Sequence, residues 1–208
     1  MNKKKWNQFW KKFWFVVWKD DSFKGWIISI IFLLIIIKGV FFPILTLASG
    51  TPSPLVIVES CSMYHKGSIF SNFESWWTKH EEKYFQQRII KSNFSKFPFK
   101  SGFNKGDILF VVGVKPQNVK IGDIIIFNAG ERNPIIHRVM TIKNENGTYY
   151  FSTEGDNNNG QLYVEKSINQ NQLVGEPIAN IAPFIGWLKL IFFESSKPPQ
   201  EKGFCHEN

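Results

Sequence analysis

The chain has 208 residues, 43% hydrophobic and 16% aromatic, which excludes an intrinsically disordered protein and suits one folded domain with an appendage. Its formal net charge is +8, but the first 50 residues carry eight lysines against two aspartates, whereas the remainder holds 17 basic and 15 acidic side chains. Because the excess positive charge belongs to the N-terminal arm, we predict no nucleic-acid-binding surface on the body of the protein.

The chain begins with a basic, aromatic arm, residues 1–25. Aromatic and apolar residues recur there at helical spacing among the lysines, namely Trp6, Phe9, Trp10, Phe13 and Val17. A helix of this kind can lie in the membrane interface, with its aromatic rings among the lipid headgroups and its lysines near anionic lipid. Packing of the arm against the folded domain is the alternative.

Residues 26–47 are predicted to form a transmembrane helix. This segment contains one charge, Lys38, and one proline, Pro43, and its 22 residues are enough to span a hydrocarbon core of about 30 Å. Seven lysines precede it, and the first charge after it is Glu59. The positive-inside rule therefore predicts a single-pass protein of the cell membrane with a cytoplasmic N-terminus and an extracytoplasmic body.

After this segment the periodicity becomes strand-like, and residues 48–193 are predicted to form a mainly β domain. Short segments rich in β-branched and aromatic residues are bounded by Gly, Asn, Pro and Asp. They lie at 55–60, 107–114, 123–129, 134–142, 148–154 and 172–180. This pattern indicates packed or barrel-like sheets.

Three segments do not fit the strand pattern. Residues 64–103 look like an insertion with a helix at 74–91, whose aromatic side chains could cover the core or touch the membrane. Residues 181–193 are apolar but too short to span a bilayer, which favours an interfacial or docking segment. The tail, 194–208, contains Ser, Lys, Pro and Gly and is predicted to be disordered.

The chain has two cysteines, Cys61 and Cys205. Two cysteines are too few for a disulfide framework in a chain of this length and do not have the paired spacing of a zinc site. We therefore predict two free thiols, no bound metal and no cofactor.

Three short stretches offer the parts of a nucleophile, a base and an orienting acid. Ser62 follows the first predicted strand, His137 lies inside another, and Asp156 follows the end of a third. A serine hydroxyl needs a base to take its proton, an imidazole can accept that proton near neutral pH, and a carboxylate can fix the imidazole tautomer. Residue type alone is weak evidence, because any chain of this length contains Ser, His and Asp.

The order of these stretches resembles that of the type I signal peptidases, in their archaeal and endoplasmic-reticulum branch, which uses histidine. That family has an N-terminal anchor, then Ser-x-Ser-Met, Gly-Asp before a hydrophobic strand, His-Arg-Val and Gly-Asp-Asn-Asn. Here the series reads SCSM at 60–63, KGDILFV at 105–111, IGDIIIF at 121–127, IIHRVM at 135–140 and TEGDNN at 153–158. The resemblance covers residues 26–193 apart from the insertion, and it implies a signal-peptidase-like β-sheet or barrel domain behind one transmembrane helix.

The resemblance also implies a role for each matched residue. Ser62 would be the nucleophile, His137 its general base and Asp156 the acid that orients the base. The backbone N–H of Ser62, helped by the Ser60 hydroxyl, would form the oxyanion hole, and Met63 would wall a substrate pocket. The implied activity is that of a serine endopeptidase that removes signal peptides after small residues. Its partners would be preproteins, the lipid bilayer and the export channel.

The sequence departs from the family pattern at several positions. Tyr64 stands where the family has proline, and about 40 residues separate Ser62 from the first Gly-Asp. Residues 159–161 occupy the place of a second aspartate, and the next acid is Glu165. An inactive signal-peptidase-like scaffold, a membrane-anchored binding domain and a serine protease with a few dedicated substrates therefore remain alternatives.

Overall fold

A computed structural model describes residues 3–66, 73–131 and 133–206 and divides the chain into two compact units, residues 1–48 and 49–208. Parts of four predicted segments lie outside the described residues. These parts are the first two residues of the arm, residues 67–72 of the insertion, residue 132 of the β domain and the last two residues of the tail.

The first unit contains two helices that pack against each other. Helix α1 spans Lys3–Lys19 and helix α2 spans Phe23–Ile36. The Ser22 hydroxyl caps α2 by accepting a hydrogen bond from the N–H of Gly25 at 3.1 Å. The ring of Phe13 meets that of Phe32 edge to face, with the two centroids 5.3 Å apart.

The apolar helix continues beyond α2 through a π-helical turn, Ile37–Phe41, and ends as α3, Phe42–Ser49. Pro43 accounts for this turn, because a proline has no N–H and interrupts the regular hydrogen bonds of an α-helix. At this point the N–H of Phe42 donates to the carbonyl of Ile37, which is the hydrogen bond of a π-helix. Together Phe23–Ser49 form a 27-residue stretch whose most apolar 18 residues have a mean hydropathy of 2.8. Among the described residues it is the one helix that is long and apolar enough to cross a membrane. The prediction of one N-terminal apolar helix is confirmed.

The second unit is built on a sheet that contains seven antiparallel strands in the part of the chain that the structure describes. The strands are β1 (Leu55–Ile57), β2 (Ile108–Val112), β3 (Ile124–Phe127), β4 (Ile135–Glu145), β5 (Thr148–Glu154), β6 (Ile168–Asn169) and β7 (Leu173–Ala182). Their order across the sheet is β1-β2-β7-β3-β4-β5-β6. Strand β7 pairs with β2 and with β3, with register shifts on both sides, and such irregularities bend a sheet. The sheet is therefore curled, and the predicted mainly β fold is confirmed.

Strand β3 lies at the centre of the core and buries all four of its residues. Successive side chains of a strand point to opposite faces, so Ile124 and Ile126 enter one apolar cluster while Ile125 and Phe127 enter another. Apolar side chains therefore pack on both faces of the sheet at this strand. This is why the sequence of β3 is an uninterrupted apolar run.

The predicted insertion contributes helices whose aromatic side chains cover the sheet. Helix α4 spans Phe73–Gln86, within a few residues of the predicted helix, and α5 spans Lys91–Phe94. Trp76, Tyr84 and Phe94 are almost completely buried and pack in one cluster with Met140 of β4. These aromatic residues therefore belong to the core.

The tail has a defined structure over its described residues, which differs from the predicted disorder. The buried ammonium group of Lys105 donates to the Glu194 carboxylate at 2.6 Å and to the carbonyls of Glu201 and Gly203 at 2.7 and 3.1 Å. A buried charge needs such partners, and the tail supplies them. The composition of the tail could not indicate this, because the lysine that holds it lies 89 positions before Glu194.

Cys61 and Cys205 form a disulfide with their Cα atoms 5.3 Å apart, so the prediction of two free thiols is wrong. The two cysteines are 144 residues apart in sequence, and a separation of that size carries no information about distance in space. The disulfide joins the tail to the residue that precedes Ser62.

The apolar segment 181–193 includes helix α6, Trp187–Leu190. Leu190 is buried, whereas Leu188, Ile191 and Phe192 are exposed. The assignment of this segment to an interface stays a prediction.

Candidate active site

Ser62 lies in the loop that follows β1, and hydrogen bonds to neighbouring segments fix this loop. The Val58 N–H donates to the carbonyl of Asp107 at 2.9 Å, which keeps the chain beside the start of β2. The carbonyl of Ser62 accepts from the backbone N–H of Asn157 at 2.8 Å. The hydroxyl oxygens of Ser60 and Ser62 are 3.1 Å apart, so the two residues predicted for the oxyanion hole are neighbours.

His137 lies on β4, where it pairs with Ile125 of β3, and its side chain is buried. Its Nδ1 atom is hydrogen-bonded to Oε1 of Glu165. The same Oε1 accepts from the Thr153 hydroxyl at 3.0 Å, and Oε2 accepts from the N–H of Leu162 at 2.8 Å. A carboxylate that is held in this way keeps the imidazole proton on Nδ1, which leaves Nε2 as the nitrogen that can accept a proton.

Ser62 and His137 line the same cavity, which has a volume of about 640 Å³. Residues 55–59, which include strand β1, form one wall, and residues 133–136, where β4 begins, form another. Met63, predicted to wall a substrate pocket, also lines the cavity and is otherwise packed in the apolar core. The volume falls within the range of ligand-binding clefts in proteins.

The carboxylate of Asp156 has a different set of partners from the predicted one. It accepts from Arg138 Nη2 at 2.7 Å, from the Tyr84 hydroxyl at 2.7 Å, and it bonds to His65 Nε2 at 2.9 Å. Burial alone would raise the pKa of Asp156, but the Arg138 guanidinium and the His65 hydrogen bond hold that pKa well below its usual range.

Asp156 therefore does not take the place beside His137 that the sequence predicted for it, and Glu165 occupies that place. The reason is the pleat of β4, in which neighbouring side chains point to opposite faces of the sheet. His137 and Arg138 are neighbours on this strand, so a carboxylate that pairs with Arg138 lies on the face away from His137. One signal for Glu165 was present in the sequence, because it is the next acid after the Gly-Asp-Asn-Asn motif.

A lysine of the insertion holds the loop that follows β5. The ammonium group of Lys83, on α4, donates to the carbonyls of Gly155, Asp156 and Asn158 at 2.8, 2.8 and 3.0 Å. Asn157, in the middle of the same loop, donates to Ser62. The insertion is thus connected to the predicted nucleophile through two successive sets of hydrogen bonds. Sequence reasoning had no signal for Lys83.

The site has no evident place for a metal ion. Within the ranges 3–66, 73–131 and 133–206, no group of three or more His, Cys, Asp or Glu side chains is arranged to hold one. The polar groups that line the cavity include the hydroxyls of Ser60 and Ser62 and the imidazole of His137, which is bonded to the Glu165 carboxylate.

A serine and a histidine at one cavity, with the histidine bonded to a buried carboxylate, are a residue set that serine hydrolases use. No protein-family model matches the chain. The chain is similar to the signal peptidase complex catalytic subunit SEC11 of Candida tropicalis, with 32% identity over 99 residues that cover 45% of this chain and 59% of that protein. The subunit SEC11C of Homo sapiens is 30% identical over 106 residues, which cover 46% of this chain and 53% of that protein.

The chain thus spans little more than half the length of these curated relatives. The matches confirm the resemblance that the motifs indicated: over about half of its length the chain is similar to catalytic subunits of signal peptidase complexes.

Proposed function

We propose that this chain is a membrane-anchored serine endopeptidase that removes signal peptides from exported preproteins by cutting after small residues. The observation that carries the proposal is the grouping of Ser62 and His137 at one cavity, with Nδ1 of His137 bound to the buried Glu165. The names of the SEC11 relatives, catalytic subunits of a signal peptidase complex, support the substrate class.

The first half of the reaction forms an acyl-enzyme. Nε2 of His137 takes the proton of the Ser62 hydroxyl as the serine oxygen attacks the carbonyl carbon of the substrate's small residue. The oxyanion that develops accepts hydrogen bonds from the Ser62 N–H and the Ser60 hydroxyl. A donor of this kind contributes about 3–4 kcal/mol to lowering the barrier.

The second half releases both products. The imidazolium of His137 gives its proton to the departing amine as the peptide C–N bond breaks, and the carboxylate of Glu165 stabilises the imidazolium before that transfer. A water molecule then attacks the ester on Ser62, with His137 again acting as the base. Hydrolysis of the ester frees the carboxyl end of the signal peptide and restores the serine hydroxyl.

We propose that the substrate binds as an extended strand beside β1. This strand lies at the edge of the sheet, so its outer backbone groups can pair with another chain. Residues 55–59 all line the cavity, which brings an added strand to Ser62. A peptide in this position would present alternate side chains to the apolar wall, where Leu55 and Ile57 lie.

We further propose that the domain after the apolar helix lies outside the cytoplasm and meets signal peptides that are still held in the membrane. The disulfide supports this location, because disulfides persist in oxidising compartments. Ser62 lies 13 residues after Ser49, where the apolar helix ends. A fully extended chain of that length reaches at most about 45 Å, which limits the distance between Ser62 and the end of the helix. Association with further subunits or with the export channel belongs to the same proposal.

Cleavage of a model preprotein by the purified, detergent-solubilised full chain tests the proposal. We expect cleavage after a small-x-small site, and a loss of at least about 10³-fold in kcat in Ser62→Ala and in His137→Ala. Ser92→Ala, which changes an exposed hydroxyl of α5, serves as the control and should cut at the wild-type rate. If the wild type cuts none of several preproteins, the scaffold or binding alternative replaces the enzyme. If Ser62→Ala still cuts, the assignment of Ser62 as the nucleophile is wrong.

A further inference from the structure

A junction of three segments surrounds the peptide bond that precedes Ser62. Cys61 is joined to Cys205 of the tail through the disulfide. The side-chain nitrogen of Asn157 donates to the carbonyls of Cys61 and His206 at 3.1 and 3.0 Å, and its backbone N–H donates to Ser62. Asn157 is buried. The loop of the nucleophile, the loop after β5 and the tail therefore meet at one residue.

The planarity of the peptide bond connects this junction to the proposed chemistry. The Cys61 carbonyl and the Ser62 N–H belong to the same rigid plane. The disulfide holds the Cα of Cys61, and the Asn157 amide holds its carbonyl, so together they fix the direction of the Ser62 N–H. That N–H is the proposed oxyanion donor, and the contribution of such a donor depends on its placement relative to the developing charge.

The tail has contacts that do not depend on the disulfide. The Lys197 ammonium donates to the carbonyl of Glu59 at 2.6 Å, and Lys105 holds the segment 194–203. The ring of Phe204 packs on that of Trp187, with 5.1 Å between centroids. Breaking the disulfide therefore releases Cys61 while these contacts still hold most of the tail in place.

We propose that Cys205 is a positioning residue for Ser62, and that reduction of the Cys61–Cys205 disulfide lowers the peptidase activity of the chain. The inference rests on the proposed function and adds a means of regulating the same site. A dithiol reductant supplies two electrons and two protons. The S–S bond breaks, two cysteine thiols form, and the dithiol is oxidised to its own disulfide. The chain would thus reach full activity only after export to an oxidising compartment.

The test compares the oxidised full chain, the chain reduced with dithiothreitol, and Cys205→Ser, all in detergent and with one preprotein substrate. We expect kcat to fall about tenfold on reduction and in Cys205→Ser, with KM changed less than about threefold, because the substrate groove remains while the oxyanion donor shifts. This loss is smaller than the 10²- to 10³-fold that follows removal of a donor. Reoxidation should restore the wild type, and the reductant should not change Cys205→Ser.

Phe204→Ala is the matched control, because it weakens the tail one residue from Cys205 and leaves the disulfide intact. Its kcat should stay within about twofold of the wild type. If Phe204→Ala loses as much activity as Cys205→Ser, the disulfide acts only by holding the tail, and the inference is overturned. Equal kcat before and after complete reduction, checked by counting free thiols, also overturns it.

Hydrogen exchange gives a readout that does not depend on activity. In the same samples, reduction should speed the exchange of backbone amides in residues 58–64 and 155–158 more than elsewhere in the domain. Unchanged exchange there refutes the positioning role even if the chain cleaves no preprotein. Inactivity of the oxidised chain on every preprotein, with faster exchange on reduction, would instead refute the proposed function and leave the positioning of Ser62 by the disulfide supported.

Discussion

Two buried carboxylates, Glu165 and Asp156, lie on different sides of β4. Removing the charge of Glu165 should mainly lower activity, whereas removing that of Asp156 should mainly lower stability. Glu165→Gln keeps the volume but removes the charge that holds the His137 tautomer and stabilises its imidazolium. We expect kcat to fall by about 10²- to 10⁴-fold, which is far more than the accompanying loss of one buried hydrogen bond would cause through stability alone. Asp156→Asn should instead be mainly destabilising, because it leaves the buried Arg138 without its counter-charge.

Steady-state kinetics and denaturant unfolding on the same preparations separate these two outcomes. Glu165→Asp, which retains the charge on a shorter side chain, should recover part of the activity lost in Glu165→Gln. Wild-type kcat in Glu165→Gln would show that His137 does not need this carboxylate.

The depressed pKa of Asp156 predicts a particular dependence of stability on pH. An unfolded aspartate has a pKa of about 3.9, and the folded-state pKa of Asp156 lies below it. Its stabilisation is therefore fully present above about pH 5 and is lost as the pH falls through 4 towards the folded value. Between pH 5 and pH 3 the free energy of unfolding should drop more steeply in the wild type than in Asp156→Asn, as followed by tryptophan fluorescence. Parallel slopes would contradict this prediction.

At the level of single residues, the order of the motifs assigned Ser62 and His137 to one site through the family resemblance, and in the structure both residues line one cavity. The order of the motifs was not enough to choose between two acids. The choice depends on which face of β4 each acid approaches, and that follows from where the loop after β5 runs in space. The alternation of His137 and Arg138 could be read from the sequence, but the path of that loop could not.

At the level of elements, helix α4 of the insertion acts on the site through Lys83. In Lys83→Met the carbonyls of Gly155, Asp156 and Asn158 lose a shared donor. The loop that holds the carbonyl of Ser62 should then loosen. Because a misplacement of about 1 Å can cost about 10²-fold in rate, we expect kcat to fall about tenfold with KM changed less than about threefold.

The matched control for this experiment is Lys91→Met. Lys91 belongs to the same insertion but pairs with Glu74 on the surface, where an ion pair contributes little to stability. Its kcat should match that of the wild type. Equal losses in Lys83→Met and Lys91→Met would show that the insertion matters only for folding.

All six predicted strands and the helix of the insertion rest on local signals, and the structure has a strand or a helix at each of these places. Strand β6 was not predicted, because its two residues are too few to show alternation. The order of the strands depends on β7, which returns to pair between β2 and β3, and no local pattern specifies such a long-range pairing. The structure of the tail could not be predicted for the same reason, because the residues that it contacts are distant in sequence.

At the level of the whole molecule, two independent features support the proposed orientation across a membrane. The lysines before the apolar helix favour a cytoplasmic arm by the positive-inside rule. The disulfide after it favours an oxidising environment for the second unit. Neither feature follows from the other, because one concerns charge near the helix and the other concerns a covalent bond within the β domain.

Labelling with a membrane-impermeant maleimide can test this orientation directly. The two native cysteines are joined in the disulfide, so an introduced cysteine is the reactive thiol. Glu145→Cys places it at the exposed end of β4, and Lys12→Cys places it on an exposed position of α1. We expect Glu145→Cys to be labelled in intact cells and Lys12→Cys to be labelled only after the membrane is opened. The reverse pattern would put the β domain in the reducing cytoplasm, where neither a stable disulfide nor the removal of signal peptides on the exported side could be maintained.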